Sequence, residues 1–460
     1  MNRIYFLYLN IFFLLLFAGC SGIPVKTGDN IIEEDFSKYS FVSNEDLQKA
    51  IKKEKLSIDD VYVLAVDRTE KLAIEYAALK ETQNEKLKAY SLFLPKISFR
   101  YQQNFLSSDS SGPWMYFYAK QPLFSGMKEV YGFDKINANI QLKEALLKYR
   151  AQRLYLEIAN AFYSALTAEE DLRSKQYSLE LLKERLIELK KRKSVGKSKE
   201  SEVLSALSQE AMLKADIEEK LTDYKEAREE LIYLAGLSDN FLLDDLLPEN
   251  ISENAKLLLE KNNEIQIKKR YDIMAAKEMV FSAEADLKTA YAAYLPQIYL
   301  QGSYYLKKGD ARVEAQSGAD NDYSIQLSAE APLFQGGELL AEMKSAKIRK
   351  EKAELSYNES IRLANAEAAK AKINLSASLR KINAYKEAYE IAQKNYKIQD
   401  NEYKRGLVTN LDVLTALNEL ETAKIKYYKS KTDIILNSIW YQIASGIFLD
   451  KNIAPGKNSQ

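Results

Sequence analysis

The pattern of hydrophobic and polar positions divides the chain into long helical runs and short alternating runs. Four stretches contain neither glycine nor proline and are rich in Ala, Leu, Lys and Glu, which are strong helix formers. They cover residues 133–195, 197–235, 338–405 and 407–445. At 1.5 Å per residue the third stretch would be about 100 Å long, a length typical of coiled coils rather than of globular helices.

Apolar rows with helical spacing run along these stretches. In the last stretch the row is Val413, Leu417, Leu420, Ala423 and Tyr427. In the first half, with Glu210 as an interruption, it is Val203, Leu207, Leu213, Ile217 and Tyr224. Spacings of three and four residues indicate the buried seam of a helix packed against other helices.

Between the helical runs the period changes to two. Apolar Ile97, Phe99, Tyr101 and Phe105 alternate with polar Ser98, Arg100, Gln102 and Asn104. The same alternation occurs at 297–306 and 323–330, and residues 114–121 are rich in aromatics. Since side chains alternate between the faces of a strand, we expect two strand hairpins, at about 96–122 and about 297–332.

Alternation of this kind has two explanations, an amphipathic sheet over a soluble core or a transmembrane β-barrel. Strands of about ten residues favour the barrel, as do the aromatics near their ends, Trp114, Tyr116, Tyr304 and Tyr305. Four strands are too few to enclose a channel, and open sheet edges are not tolerated in lipid. Strands placed in lipid would therefore be shared among several chains, and three copies would supply twelve.

An internal repeat relates the two halves of the chain. The stretch "RGLVTNLDVLTAL" at 405–417 follows "VGKSKESEVLSAL" at 195–207 by 210 residues. "PLFSG" at 122–126 recurs at the same distance as "PLFQG" at 332–336. The earlier "LP" motifs, at 94–95 and 295–296, lie only 201 residues apart. The second hairpin is therefore longer, and its extra residues predict a longer loop within the polar stretch 307–322.

Composition excludes several classes of site. The chain has no histidine and a single cysteine, Cys20, so an intrachain disulfide and a cysteine zinc site are impossible. Basic and acidic residues balance at 66 each, which gives no sign of a nucleic-acid partner. We find no glycine-rich phosphate loop and no catalytic serine motif. We expect no enzymatic activity, no metal and no cofactor.

The N-terminus has the pattern of a secretory signal. Arg3 precedes an apolar run at 4–18, and the small residues Ala18 and Gly19 precede Cys20. "LFAGC" resembles the lipobox of bacterial lipoproteins, which implies cleavage before Cys20 and acylation of that residue. The alternative is an uncleaved anchor with an incidental cysteine.

The chain as a whole resembles the TolC-like outer-membrane efflux family. The resemblance rests on the paired "LP…PLF.G" hairpins, the long helices after each, and the "G…(D/E)VL.A" stretch in each half, and it covers about 44–447. It implies a mainly α fold with a transmembrane β-barrel, in which three chains form an α-helical tunnel and share a 12-stranded barrel. The implied organisation is a signal peptide at 1–19, a linker at 20–43, repeats at 44–247 and 248–447, and a tail at 448–460.

The resemblance also implies a function and partners. The homotrimer would be the outer-membrane channel of a tripartite efflux or type I secretion system, lipid-anchored, spanning outer-membrane lipid and extending into the periplasm. It would receive substrates from an inner-membrane pump through a periplasmic adaptor (membrane fusion) protein. A mixed equatorial region would comprise 236–260 and the C-terminal tail. The alternative is a periplasmic coiled-coil adaptor lipoprotein without a barrel.

The same resemblance assigns candidate site residues to the periplasmic end. Gly196 and Gly406 would break the long helices so that the chain folds back. Asp412 would belong to an acidic gate, and Thr415 stands where some relatives carry a second acid. From the residues themselves, Asp412 is equally explained as a helix N-terminal acid, with Asn410 or Thr409 as N-cap.

Further residues near the turns have two interpretations each. Glu202 occupies the position of Asp412 in the first half, so it is a candidate gate residue as well, but it is better explained as a solvated face residue. Arg405, with Lys404, would join salt bridges that hold the tip closed or would only complement a helix C-terminus.

Overall fold

A computed structural model describes residues 44–103, 113–196, 198–245, 247–248, 250–261, 266–307 and 323–447. Several predictions lie outside these residues. They concern the signal peptide, Cys20, the linker, most of the longer loop at 307–322, Asn104, Phe105 and the C-terminal tail.

The first half contains five helices and four strands among its described residues. They are α1 (Asn44–Ile51), β1 (Lys55–Leu56), α2 (Ile58–Arg68), α3 (Glu70–Tyr90), β2 (Lys96–Gln102), β3 (Trp114–Ser125), α4 (Lys128–Ser194), α5 (Glu200–Ala235) and β4 (Leu242–Leu243). The second half continues with α6 (Ile251–Lys261), α7 (Tyr271–Ala292), β5 (Gln297–Lys307), β6 (Tyr323–Glu330), α8 (Glu338–Lys404) and α9 (Asn410–Ala444). The protein is mainly helical, as predicted.

The repeat is visible in the backbone itself. Helices α4 and α8 each contain 67 residues and begin 210 positions apart. Residues with positive φ among those described also form pairs at this distance, and each pair marks an equivalent chain reversal. The pairs are Gly126 with Gly336, Met127 with Gly337, Gly196 with Gly406, and Gly236 with Gly446.

The two hairpins form one antiparallel four-stranded sheet in the order β2-β3-β5-β6. Residue pairing sets Ser98 opposite Tyr118, and Tyr118 opposite Ser303, which confirms that the predicted polar positions share a face. Pro122 lies in the central strand β3 beside a register shift between Pro122 and Phe124. A proline lacks the N–H of a ladder, and a bulge accommodates it there.

The four longest helices pack lengthwise in an arrangement set by alanine. Helix α8 packs along α9, and α4 packs along both α5 and α7. Many of the buried positions in α4 and α8 are alanines, whose small side chains permit close approach of neighbouring helices. None of the helices in the described ranges has a stretch long and apolar enough to cross a membrane.

The seam of α5 differs from the predicted row. Val203 is buried as expected, but the second buried position is Ala206, and Leu207 remains 38% exposed. Its counterpart Leu417 in α9 is only 7% exposed. Helix α9 has contacts with α4 as well as α8, whereas α5 packs mainly on α4, so that α5 buries a narrower stripe.

A small mixed region surrounds the middle of the helices. Strand β1 pairs in parallel with β4, and α6 packs against α8 and α9. At the start of α2, Ser57 and Asp60 form a reciprocal cap in which Lys53 also binds the Asp60 carboxylate at 2.7 Å. Part of this region, β4 and α6, falls in the predicted 236–260 segment, but α1, α2 and β1 were not predicted.

Candidate functional site

Both helical pairs reverse direction through a glycine at one end of the molecule, here called the tip. Gly196 has φ +70° and Gly406 has φ +78°, a left-handed conformation that side chains rarely adopt. The amide of Gly196 donates to Lys193 O, and the amide of Leu407 donates to Glu402 O at 3.0 Å. These bonds satisfy carbonyls at the C-termini of α4 and α8, as expected for glycine at a helix end.

The two turns pack together through an apolar cluster built by all four helices. The buried members come from both halves of the chain, which joins the two hairpins into one unit. They are Leu182, Leu186, Leu189, Val203, Ala206, Tyr403, Val413 and Leu414. Beyond this cluster, Leu407 and Leu411 are exposed by 69% and 65% and form an apolar surface on the second turn.

Two arginines of α4 clasp the end of α8 around one tyrosine ring. The guanidinium of Arg185 lies 4.1 Å, and that of Arg192 4.5 Å, from the ring centre of Tyr403. Arg192 also donates to the backbone oxygen of Tyr403 at 3.2 Å. Arg185 pairs with Asp400 at 3.2 Å, and both arginines bind Glu188.

This arginine clasp was not predicted from the sequence. Lys404 and Arg405 were the candidate cations because they directly precede the turn, whereas Arg192 lies 211 residues before Tyr403 in the chain. The one available signal was the aromatic Tyr403 ahead of Gly406. In the structure Lys404 pairs with Asp400 at 2.7 Å along its own helix, and exposed Arg405 forms no ion pair with any described residue.

Asp412 caps the N-terminus of α9. Its carboxylate accepts hydrogen bonds from the Thr409 amide at 2.8 Å and the Thr409 hydroxyl at 2.7 Å. Thr409, rather than Asn410, is therefore the N-cap. The bonds from Thr409 hold the pKa of Asp412 below its ordinary value. The side chain is fully exposed, and Thr415, one turn on, is exposed as well.

Glu202 is a capping residue and not simply a solvated face residue. Its carboxylate accepts from the Ser198 hydroxyl and from the Lys199 amide at the start of α5. The first turn thus resembles the second, with Glu202 in the place of Asp412, but the hydroxyl comes from Ser198 and not from the N-cap Lys199. The corrected interpretation follows from the position: an acid at N3 can reach back to the free amides of a helix start.

The opposite end of the molecule carries the sheet. One face presents Ile97, Phe99, Leu300, Ile325 and Leu327, all largely exposed in the single chain. The edges β2 and β6 have no pairing strand among the described residues. An apolar face with open edges is unfavourable in water, which indicates that further molecules cover it.

Among the described residues no cluster of acidic or cysteine side chains could hold a metal ion. A shallow cleft of about 220 Å³ lies between α8 and α9. It is lined by Asn374, Ser378, Lys381, Asp433 and Asn437, among others. It is open to solvent, and its two serine hydroxyls donate to backbone oxygens of their own helices, Ser378 to Asn374 O and Ser430 to Tyr427 O.

The sequence of the chain is similar to those of known outer membrane proteins. Residues 265–439 match the family model described as outer membrane efflux protein. TolC of Vibrio cholerae is 24% identical over 325 residues, which are 69% of this chain and 73% of TolC. The chain is related to the TolC-like outer membrane efflux proteins. OprJ of Pseudomonas aeruginosa is 26% identical over 317 residues, 64% of this chain and only 63% of OprJ.

Solved structures agree with this relationship at the level of the fold. The outer membrane protein VceC of Vibrio cholerae superposes with a TM-score of 0.70 at 19% identity, covering 85% of this chain and 96% of VceC. TolC and OprJ are both named as outer membrane proteins, which agrees with the predicted relationship and outer-membrane location. The relationship also favours the channel over the adaptor alternative.

Proposed function

We propose that the protein is the outer-membrane channel component of a tripartite efflux or type I secretion system. Three chains would form one passive duct from an inner-membrane pump, across the periplasm and through the outer membrane. The observation that carries this proposal is the amphipathic four-stranded sheet with open edges, joined to helices about 100 Å long.

Strand directions support closure by three copies. The strands alternate in direction from β2 to β6, so β6 of one chain set beside β2 of the next continues the antiparallel order. Three chains then supply twelve strands and leave no open edge, as a spanning sheet requires. The apolar face would meet lipid, and the polar face would line the duct.

The tip would be the closed end of the duct and the docking end for partners. The arginine clasp at Tyr403 ties the second hairpin to the first, so that opening requires its contacts to break or rearrange. The exposed Leu407 and Leu411 offer an apolar surface to a periplasmic adaptor protein. Gly196 and Gly406 would supply the turns, and exposed Asp412, beside Thr415, would form an acidic ring in the trimer.

The anchor at Cys20 is a separate part of this proposal. Cleavage before Cys20 and acylation of its thiol and new amine would attach each chain to the membrane. Mass spectrometry of the N-terminal peptide of the membrane-extracted protein tests the anchor. Masses of attached acyl chains are expected, and an unmodified Cys20 or an uncleaved leader would contradict it.

Planar bilayer recordings of the purified full-length protein test the channel. We expect stable unitary conductance that a trivalent cation blocks from the tip side.

Asp412→Asn keeps an oxygen for the cap but removes the charge, and it should weaken the block several-fold. Thr409→Val removes the cap hydroxyl and keeps the charge, so it serves as the matched control with block retained. Equal block in wild type and Asp412→Asn would remove Asp412 from the gate, and absence of conductance would contradict the channel.

A further inference from the structure

The polar face of the sheet is basic and aromatic at its centre. Pairing of the strands brings Lys96 opposite Lys120 and sets Arg100 diagonally beside Tyr118. Tyr299 on β5 lies diagonally beside Lys120 on the same face. We name these five residues, Lys96, Arg100, Tyr118, Lys120 and Tyr299, the basic-aromatic face.

Positive charge on this face exceeds negative charge. Among the strand side chains that the structure describes, the whole polar face of the sheet carries three cations, Lys96, Arg100 and Lys120, and one acid, Glu330. Glu330 lies at the end of β6, whereas the cations belong to β2 and β3. None of the three cations forms an ion pair with a carboxylate in the described ranges.

Two of the three basic residues, Arg100 and Lys120, contact rings instead of carboxylates. The Arg100 guanidinium lies 3.8 Å from the ring centre of Tyr118, and Lys120 Nζ lies 3.7 Å from that of Tyr299. Such contacts orient a cation without neutralising its charge. Lys96 and Lys120 face each other across the strands, a like-charge pairing that disfavours a sheet.

A second group of rings extends the face toward the far end of the strands. Tyr116 lies 5.2 Å from Tyr305, and Trp114 lies 5.8 Å from the same ring. Rings at these separations offer flat surfaces and polar edges to a passing solute. Cations and rings therefore lie side by side on one surface that, in the proposed duct, faces the aqueous interior.

We propose that the strand section of the duct favours organic anions that carry an aromatic ring. This inference rests on the proposed function, because it requires three copies with the polar face inward. The excess of two positive charges per chain then becomes six around one axis, a field that attracts anions and repels cations. The tip, with Asp412, has the opposite preference, so the two ends of the duct differ in the sign of the ion they hold.

Side-specific block of single channels tests the inference. Full-length protein is inserted in bilayers of neutral lipid, and benzenehexacarboxylate is added to one chamber at a time. We expect block from the strand side only. In the double variant Arg100→Gln, Lys120→Gln the half-blocking concentration should rise about tenfold, because six attracting charges are lost.

Two variants separate charge from structure. Glu330→Gln removes the acid of the same face and should tighten the block, the direction opposite to that of the double variant. Arg100→Lys combined with Lys120→Arg conserves charge and should keep the block. If loss of cations and loss of the acid shift the block in the same direction, or if neither shifts it, the inference is wrong.

A matched probe tests the aromatic part. Cyclohexanehexacarboxylate has the same charges on a saturated ring and should block more weakly than benzenehexacarboxylate. Equal block by the two probes would contradict the aromatic preference and leave only an anion preference. Wild-type protein that conducts but is not blocked by either anion would overturn this inference alone, whereas protein that opens no conductance would overturn the proposed function with it.

Discussion

At the scale of single residues, the backbone conformation of a few glycines defines the repeat. Gly196 and Gly406 both have positive φ, and a Cβ at either position would meet no atom within 4 Å. Their requirement for glycine is therefore a matter of backbone conformation and not of space. Replacement tests this directly, because crowding cannot contribute to the result.

Gly406→Ala is expected to destabilise the tip by about 1–2 kcal/mol, the cost of a left-handed conformation with a side chain. Hydrogen exchange of the Leu407 amide measures the change. The matched control is Gly132→Ala inside α4, where φ is not positive and space is open, and where alanine should stabilise by about 0.5–1 kcal/mol. Equal effects at the two positions would contradict the assignment of Gly406 to the turn.

The charge of Asp412 gives a prediction about pH. In the single chain, bonds from Thr409 lower the pKa of Asp412, so the cap is present above the ordinary carboxylate range and is lost as pH falls through the lowered value. Three such carboxylates near one axis would instead raise the pKa by mutual repulsion. Cation block measured against pH therefore distinguishes the two cases. If the pH at which half of the block is lost lies above 3.8, the ordinary pKa of an aspartate, the three carboxylates form a ring. If it lies below 3.8, they act as three independent caps.

At the scale of secondary-structure elements, sequence patterns predicted the long helices and the four strands well. Both follow from local periodicity, and the absence of glycine and proline located the helix ends within a few residues. The short helices α1 and α2 were missed, because eight and eleven residues contain too few turns for a clear period. The arginine clasp was missed because Arg192 and Tyr403 meet only when the two hairpins pack together, and no local pattern records that contact.

The arginine clasp should stabilise the tip measurably. Arg192→Gln removes charged bonds to the end of α8 and is expected to cost about 1–2 kcal/mol of local stability and to lengthen the open time of the channel. The control is Arg173→Gln: this exposed arginine pairs with Glu169 and Glu170 on its own helix and, at 4.0 Å, with Asp245, all away from the tip, so tip stability should change by less than about 0.5 kcal/mol. Open times and exchange rates that remain at wild-type values in Arg192→Gln would exclude the clasp from the closed state.

At the scale of the whole molecule, the sheet is the part of the chain that calls for further copies, because its described edge strands β2 and β6 pair on one side only. Its apolar positions were predicted from alternation alone, and their exposure on one face agrees with the expected lipid contact. Closure could be inferred only indirectly, since pairing of β6 with a neighbouring β2 depends on a second copy. The opening of the proposed gate, the identity of the adaptor and the transported substrate could not be predicted, because each involves other molecules. The geometry of one chain bears on them only through its charges and its exposed apolar area.

The native mass of the detergent-extracted protein is the most direct test of the central claim. We predict a trimer, three times the mass of one mature chain after subtraction of bound detergent, with circular dichroism dominated by helix and a minor β component. A monomer that leaves the membrane without detergent once its lipid anchor is removed would contradict the shared barrel, and with it the channel.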